Sequence, residues 1–156
     1  MPKDLDKAYG QLRKGQILSF RLRTNPTKRI WKVRDADSQL KGKRVGLLRE
    51  DEQIAWLLRK GQQVETGKPG GFEILKKEID DGYGNMRQVP RVDVRREGKR
   101  RGNKKENGCS HLTTHLAVCF DGLLQITDAD AFRETLARGI GPGKAFGFGL
   151  LSVARA

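Results

Sequence analysis

A fourteen-residue stretch without one apolar side chain constrains how this chain folds more than any other feature. It occupies positions 95–108 and reads RREGKRRGNKKENG. Such a stretch cannot enter a hydrophobic core, so it predicts a solvated loop or a hairpin tip, which can be disordered without a partner. The stretch lies between two predicted strands, and its charges should therefore project together from one edge of a compact domain.

The charge of this region indicates a polyanionic partner. Between Arg91 and Lys105 the net charge is +6, and the whole chain of 156 residues carries +13, whereas solubility needs only a few charges. Nucleic acid is the leading partner and an anionic membrane surface the second. No apolar run approaches the ~18 residues of a membrane-spanning helix, and the N-terminus has no signal-peptide pattern. We therefore predict a nucleic-acid partner, no membrane partner and a cytoplasmic location.

The cysteines argue against a metal site and against a disulfide framework. Cys109 and Cys119 are the two cysteines of the chain and do not have CxxC spacing, which is the usual spacing of zinc knuckles. Without a secretion signal they are expected to be reduced thiols. The sequence predicts no metal and no cofactor.

Hydrophobic periodicity predicts an alternation of strands and helices. In chain order these are a strand at 16–23, a loop or hairpin at 27–44, a helix at 50–60, strands at 72–78 and 86–95, a strand hairpin at 115–126 turned at Asp121-Gly122, a helix from Asp128 to about Arg138, and a last strand at 150–154. This order is the βαββαβ pattern of an α+β, ferredoxin-like (RRM-like) fold. It has an antiparallel sheet, two helices on one face and a basic hairpin or loop insertion.

The glycine-rich segment at 139–149 resembles a phosphate-binding loop only superficially. It contains GPGKAFG, but it follows a helix and precedes a strand, and Ala145 stands where a Walker motif requires Ser or Thr. The interpretation that is left is a loop whose backbone amides approach a phosphate chain, with Gly141, Gly143 and Lys144 as its candidate residues. The alternative is a helix cap packed against its own sheet.

The two histidines offer only weak catalytic candidates. His111 and His115 are four residues apart, but the apolar pattern around them indicates a strand, where they would share one face. A surface or edge histidine is favoured over a catalytic one. The catalytic residues are therefore unknown, with His115 and Lys144 as weak candidates.

Three segments together resemble one known family. They are SFRLRTNPTK at 19–28, EQIAWLLRK at 52–60, and AVCFDGLLQITDADAF with GIGPGKAFGFGLLSVA between 117 and 154. They resemble the CasE family of CRISPR repeat-RNA endoribonucleases, which belong to type I-E systems of antiviral defense. The resemblance implies two tandem ferredoxin-like domains that bind the repeat stem-loop and cut it without a metal ion. The protein then stays on its product as a subunit of the Cascade surveillance complex.

The resemblance also implies that this chain corresponds to the C-terminal part of the family. The family's catalytic histidine lies in the N-terminal domain, and the match begins where the second domain begins. Residues 1–15 would be a remnant of a preceding domain or a linker, and 16–156 a C-terminal RNA-binding domain. RNA binding is expected, and cleavage by this chain alone stays open. The implied partners are CRISPR repeat RNA or crRNA, other subunits of the complex, and a separate chain that could supply the N-terminal domain.

The predicted RNA-binding residues are cations of the first strand and of the basic stretch after it, cations of the segment that matches the family's basic hairpin, and the glycine loop. They are Arg21, Arg23, Lys28, Arg29, Lys43, Arg44, Arg91, Arg95, Arg96, Lys99, Arg100, Arg101, Lys104, Lys105, Gly141, Gly143 and Lys144. Two other functions are consistent with the sequence. One is a complete nuclease that uses His111 or His115, and the other is a generic basic RNA-binding scaffold without catalytic activity.

Overall fold

Within the described part of the chain, two helices cover one face of a five-stranded antiparallel sheet. The computed structural model describes residues 5–30, 42–62 and 69–156, apart from the side chains of Leu5, Lys104, Glu106 and His111. The elements in chain order are α1 (Leu5–Gly10), β1 (Ile17–Thr24), β2 (Thr27–Arg29), β3 (Arg44–Gly46), α2 (Glu50–Gly61), β4 (Phe72–Ile74), β5 (Lys76–Asp80), β6 (Met86–Pro90), β7 (Val92–Glu106), β8 (Cys109–Ile126), α3 (Ala129–Arg138), a short 3-10 turn (Lys144–Phe146) and β9 (Leu151–Arg155). None of the described helices is long and apolar enough to cross a membrane.

Strand β1 lies at the centre of the sheet. Its side chains alternate, with Leu18, Phe20 and Leu22 buried and those between them more exposed. β1 pairs antiparallel with β8 on one side and with β9 on the other. β4 and β7 lie one after the other along the far edge of β8. The spatial order is thus β4/β7–β8–β1–β9, and the predicted ferredoxin-like fold is confirmed.

Both predicted helices are confirmed. α2 begins with three acidic residues and has two basic residues in its last turn, as the helix dipole favours. α3 is capped by Asp128, whose carboxylate accepts hydrogen bonds from the N–H groups of Asp130 and Ala131, both at 3.0 Å. The side chains that bury the two helices in the core are Trp56, Leu57, Phe132 and Leu136.

The predicted hairpin at 115–126 is wrong, because these residues lie in one continuous strand. β8 passes through Asp121 and Gly122 without a turn. Gly122 is needed for a different reason: a Cβ there would lie 2.3 Å from the carbonyl oxygen of Arg91 on the neighbouring chain segment. The turn is at Asn107-Gly108, where φ is 51° and 78°, and an Asn-Gly pair with positive φ suits a two-residue hairpin loop.

The stretch 95–108 therefore consists of the second part of β7 and the turn that follows it. β7 extends through Glu106 and pairs with β8 as far as Cys109. Its backbone groups find partners in this ladder, so a strand forms although no side chain of the stretch is apolar. The expectation of an irregular, disordered loop is therefore wrong, and that of a hairpin tip is confirmed.

A second hairpin is inserted at the sheet edge, between β4 and β7. It consists of β5 and β6, and it interrupts both predicted strands, at 72–78 and 86–95. At its base the N–H of Leu75 donates to Leu123 at 3.0 Å and the N–H of Arg91 donates to Leu75 at 2.6 Å. The chain thus leaves and re-enters the sheet at one point.

Two further segments pack on this framework. β2 and β3 form a hairpin from the stretch predicted as a loop or hairpin at 27–44, whose centre lies outside the described residues. Before β1, the carbonyl oxygens of Tyr9 and Leu12 accept hydrogen bonds from Arg133, both at 2.9 Å, and Leu12 is buried. Helix α1 is thereby fixed to α3. The proposed domain boundary after residue 15 stays a prediction.

Candidate nucleic-acid interface

The end of the β7–β8 hairpin projects beyond the sheet as a two-stranded arm. We define the arm as residues 98–117, from the pair Gly98–Ala117 to the pair Glu106–Cys109 and its turn. Beyond Val118, which pairs with the end of β1, the one described strand that pairs with β8 is β7. Eight residue steps of about 3.3 Å give the arm a length of roughly 26 Å.

The arm carries a row of exposed cations. The side chains of Lys99, Arg100, Arg101 and Lys105 are all exposed. Because side chains alternate along a strand, Lys99, Arg101 and Lys105 share one face and Arg100 lies on the other. Lys104 is in the same strand, but its side chain lies outside the description. Such a row can neutralise successive phosphates of a nucleic-acid backbone.

A β-bulge at the root of the arm sets its direction. The register between β7 and β8 shifts between Arg96 and Gly98. The extra residue, Glu97, accepts a hydrogen bond from Arg23 of β1 at 2.5 Å, and Arg96 donates to the carbonyl oxygen of Leu48 at 3.1 Å. A bulge bends its strand, and here hydrogen bonds to two other parts of the domain, the side chain of Arg23 and the backbone of Leu48, fix the bend.

The glycine loop, residues 139–149, lies against the arm. The ring of Phe146 packs on Gly102, where a Cβ would lie 2.4 Å from it. Gly141 and Gly143 have φ of 83° and 81°, and a Cβ on Gly141 would lie 2.9 Å from the Trp56 ring. Both glycines thus adopt conformations that a side chain would disturb. Their contact with RNA stays a prediction.

The same loop also ends helix α3, as the alternative interpretation expects. The N–H of Gly139 donates to Thr135 at 2.9 Å, and the N–H of Ile140 donates to Gly149 at 2.8 Å. The first bond caps the helix, and the second holds the two ends of the loop together. The side chain of Lys144, at the far end of the loop, is exposed. Capping the helix and presenting a cation are therefore compatible roles of one segment.

Two aromatic rings of the glycine loop hold His115 of the arm. The centroid of its imidazole lies 4.7 Å from that of Phe146 and 5.8 Å from that of Phe148. The guanidinium of Arg23 lies over the Phe148 ring, 5.0 Å from its centroid. The loop and the arm are thereby packed as one unit.

Hydrogen bonds define the state of the His115 ring. The N–H of Leu116 donates to Asn25 Oδ1 at 3.2 Å, so the Asn25 amide nitrogen faces His115 Nδ1, at 3.0 Å, and donates to it. This network assigns the proton of the neutral ring to Nε2, which donates to Thr113 Oγ1 at 3.2 Å. Because both nitrogens are engaged, the geometry supports a structural role for His115 rather than a catalytic one. The side chain of His111 lies outside the description.

We expect His115→Ala to lower the free energy of unfolding by about 1–3 kcal/mol. The substitution removes two hydrogen bonds, each worth about 1 kcal/mol net, together with the aromatic contacts. Thr114→Ala is the matched control, because Thr114 is exposed on the other face of the same strand. Urea denaturation measures both variants, and equal stabilities would contradict a clamp between loop and arm.

A basic cleft of about 1050 Å³ opens on the other side of the glycine loop. It lies between the C-terminal ends of α2 and α3, with Trp56 in its wall. Among the described residues, the cations that line it are Arg29, Arg44, Arg59, Lys60, Arg138 and Lys144, and no carboxylate lines it. Helix C-termini carry partial negative charge, which these side chains offset. The cleft is therefore suited to an anionic chain.

The sheet face opposite the helices carries cations that are paired with carboxylates. Arg21 donates to Asp121 at 2.6 Å, and Arg95 donates to the same carboxylate at 3.1 Å. Burial acts to raise the pKa of Asp121, but the hydrogen bonds from the two guanidinium groups outweigh it and hold the pKa below its ordinary value. The described strand positions on this face include no aromatic residue, on which RRM sheets stack bases. The arm and the cleft are better candidates for an RNA interface.

The structure places the predicted RNA-binding residues in several groups. On the arm or at its root are Arg96, Lys99, Arg100, Arg101, Lys105 and, by its backbone, Lys104. In the cleft are Arg29, Arg44, Gly141, Gly143 and Lys144. Bonded to carboxylates are Arg21, Arg23, Lys28 and Arg95. Lys43 precedes β3, and Arg91 lies at the base of the inserted hairpin. The cleft residues Arg59, Lys60 and Arg138 were not predicted, because each looks like an ordinary basic residue in the last turn of a helix.

Comparison with known proteins gives one consistent result. The family model described as "CRISPR associated protein" matches residues 2–155. The CRISPR-associated endoribonuclease Cse3 of Thermus thermophilus is 38% identical over 160 residues, covering 96% of this chain and 66% of its own length. The CRISPR system Cascade subunit CasE of Escherichia coli is 37% identical over 147 residues, covering 92% of this chain and 61% of its own. The chain thus spans somewhat less than two thirds of these relatives.

A solved structure agrees with this result. The structure of the CRISPR endoribonuclease Cse3 bound to 19 nt RNA superposes on this chain with a TM-score of 0.67 at 36% sequence identity. The superposition covers 92% of this chain and 58% of that one. The likeness therefore extends over most of this chain and over somewhat more than half of the solved one.

Proposed function

This chain belongs to the family of CRISPR-associated proteins that includes the CasE and Cse3 endoribonucleases, and on this premise we propose that it binds the stem-loop of CRISPR repeat RNA. It would do so as part of the crRNA-processing subunit of a type I-E surveillance complex. One observation carries the proposal: the basic arm and the basic cleft both adjoin the glycine loop, one on each side of it. The glycine loop joins them, because it packs on the arm through Phe146 and lines the cleft through Lys144.

The arm is shaped to meet a stem near one of its ends. The major groove of A-form RNA is deep and narrow, and it admits a protein element mainly near a helix end or a loop. In the proposed complex the exposed cations Lys99, Arg100, Arg101 and Lys105 contact phosphates of the stem. Guanidinium groups such as that of Arg100 can also read guanine edges.

The cleft would take the RNA strand where it leaves the stem. Its wall combines six cations with the glycine loop, whose backbone can approach a phosphate closely. Metal-free cleavage of that strand needs a base at the attacking 2′-hydroxyl and an acid at the leaving oxygen. Of the two candidates, Lys144 lines the cleft, whereas the nitrogens of His115 are engaged within the fold. One candidate does not supply both the base and the acid. We therefore propose RNA binding, and not strand cleavage, as the activity of the described residues.

Fluorescence anisotropy with a labelled repeat stem-loop tests the proposal. Five or six phosphate contacts at about 0.7 to 0.9 log unit each predict a slope of log K against log salt near −4 to −5. An unrelated RNA hairpin of equal length and an unpaired RNA of the same composition are the matched probes. A slope flatter than about −1 would contradict the electrostatic surface. Equal affinity for all three RNAs would favour the generic scaffold instead.

A further inference from the structure

The hairpin β5–β6 exposes apolar side chains at its tip. Tyr83, in the connection between the two strands, is 90% exposed, and Met86, at the start of β6, is 63% exposed. Among the residues that the structure describes, the hairpin pairs with the rest of the sheet only through the backbone bonds of Leu75 and Arg91 at its base. Large exposed side chains of this kind are common singly, but here two of them lie within four residues of each other at the end of one hairpin.

The tip is held in one conformation before any partner binds. The carboxylate of Asp81 accepts hydrogen bonds from the N–H of Tyr83 at 2.8 Å and from the N–H and side-chain amide of Asn85 at 3.2 and 3.1 Å. These bonds lower the pKa of Asp81, the Tyr83 N–H having the largest effect. The carboxylate of Asp80 accepts from the N–H of Gly82 at 2.8 Å. The ring of Tyr83 is therefore presented from a fixed backbone, which limits the entropy lost on binding.

The charge of the hairpin differs from that of the rest of the chain. The residues between 76 and 90 that are charged at pH 7 are Lys76, Lys77, Arg87, Glu78, Asp80 and Asp81. They cancel to a net charge of zero, in a chain that carries +13. A surface that binds phosphates concentrates cations, whereas the core of a protein interface is poor in charge and rich in Tyr and Met. The tip has the composition of a protein contact.

We propose that the tip of β5–β6 docks on a neighbouring protein subunit of the surveillance complex, with Tyr83 as the anchor in an apolar pocket of that subunit. The inference rests on the proposed function, which places the chain in such a complex. Tyr83 and Met86 together bury only a few hundred Å², well below the roughly 1,000 Å² of a stable binary interface. The tip therefore adds affinity to a complex in which RNA already holds the chain, as the second contact of a bivalent interaction does.

A comparison of two affinities tests this contact. The first is the affinity of the full chain for free crRNA. The second is its affinity for the same crRNA held by the other purified subunits of the complex. Wild type should bind the assembled form more tightly. The double variant Tyr83→Ala/Met86→Ala should reduce that advantage roughly 30-fold, as removal of an interface hot spot does, with its affinity for free crRNA unchanged. Gln88→Ala, an exposed neutral position on the same hairpin, should change neither value.

Each other outcome overturns the proposal in a recognisable way. If the double variant still binds crRNA in the assembled complex more tightly than free crRNA, by the same factor as wild type, the tip touches no subunit. Equal weakening of both affinities means that the tip contacts RNA. If the double variant loses self-association in sedimentation velocity but keeps its tighter binding to crRNA in the assembled complex, the partner is a second copy of the chain. If wild type does not bind free crRNA, the proposed function itself fails, and the tip variants are not needed to show it.

Discussion

Replacing Lys99, Arg100, Arg101 and Lys105 together with alanine is expected to weaken stem-loop binding roughly 10²- to 10³-fold at 0.15 M salt. Each lost phosphate contact flattens the salt dependence by about 0.7 to 0.9 log unit, so four contacts change the slope by about 3. Electrostatic binding vanishes towards 1 M salt, and a slope change of 3 extrapolated to 0.15 M gives a loss of this size. Filter binding across a salt series measures both quantities.

A matched pair of double variants shows whether RNA affinity depends on the position of the cations or only on the net charge of the chain. Arg100→Ala/Arg101→Ala removes two guanidinium groups from the arm, and Arg21→Ala/Arg95→Ala removes two from the opposite sheet face, where they are paired with Asp121. The first should lose about 20-fold in affinity at 0.15 M salt, and the second less than about threefold, because its groups lie away from the proposed path of the RNA. Equal losses would mean that only the net charge of the chain acts.

Gly141→Ala is expected to lower the free energy of unfolding by about 2–5 kcal/mol. A left-handed conformation costs a residue with a side chain about 1–2 kcal/mol, and overpacking adds about 1–3. At Gly141 both terms apply, because φ is 83° and the new Cβ would lie 2.9 Å from the ring of Trp56. At Gly147, with φ of 81°, nothing lies within 4 Å of the new Cβ. Gly147→Ala should therefore cost only the first term, about 1–2 kcal/mol.

The difference between these two variants isolates the contact with Trp56. Urea denaturation of both, with the m-value compared to wild type, gives the two free energies of unfolding. Equal stabilities of the two variants would contradict the close contact between Gly141 and the Trp56 ring that the structure shows. The Gly147 variant should also keep its affinity for the stem-loop, because its backbone and the cleft wall are undisturbed.

The helices and β1 could be predicted because their signals are local. Asp128 caps α3, and alternation along β1 indicates which side chains are buried. The course of β8 could not be predicted in this way. Asp121-Gly122 is a strong turn signal, yet the glycine serves the close approach of Arg91 from another part of the chain. The real turn, at Asn107-Gly108, lies in a polar stretch where neither face of the ribbon is buried, so no hydrophobic alternation indicates the strands.

The candidate site likewise has one part that the sequence indicates locally and one part that depends on the packing of distant segments. The arm cations are adjacent in sequence, and their cluster is visible without a structure. The cleft gathers Arg59 and Lys60 from α2 with Arg138 from α3, residues nearly eighty positions apart. Only the packing of both helices on one sheet brings their ends together. Conversely, the sequence does not indicate that Arg21 and Arg95 are paired with a carboxylate. The sheet register places Asp121 between them.

The pairing of β7 with β8 along the whole arm has a thermodynamic consequence. A disordered basic segment would lose backbone freedom on binding, at roughly 1–2 kcal/mol per residue that becomes ordered. In this chain each strand residue of the arm already has its ladder partner, so the loss occurs when the protein folds. Association with RNA should then show a small heat-capacity change, because little surface is buried by coupled folding. Its rate should be set by electrostatic encounter rather than by a slow ordering step.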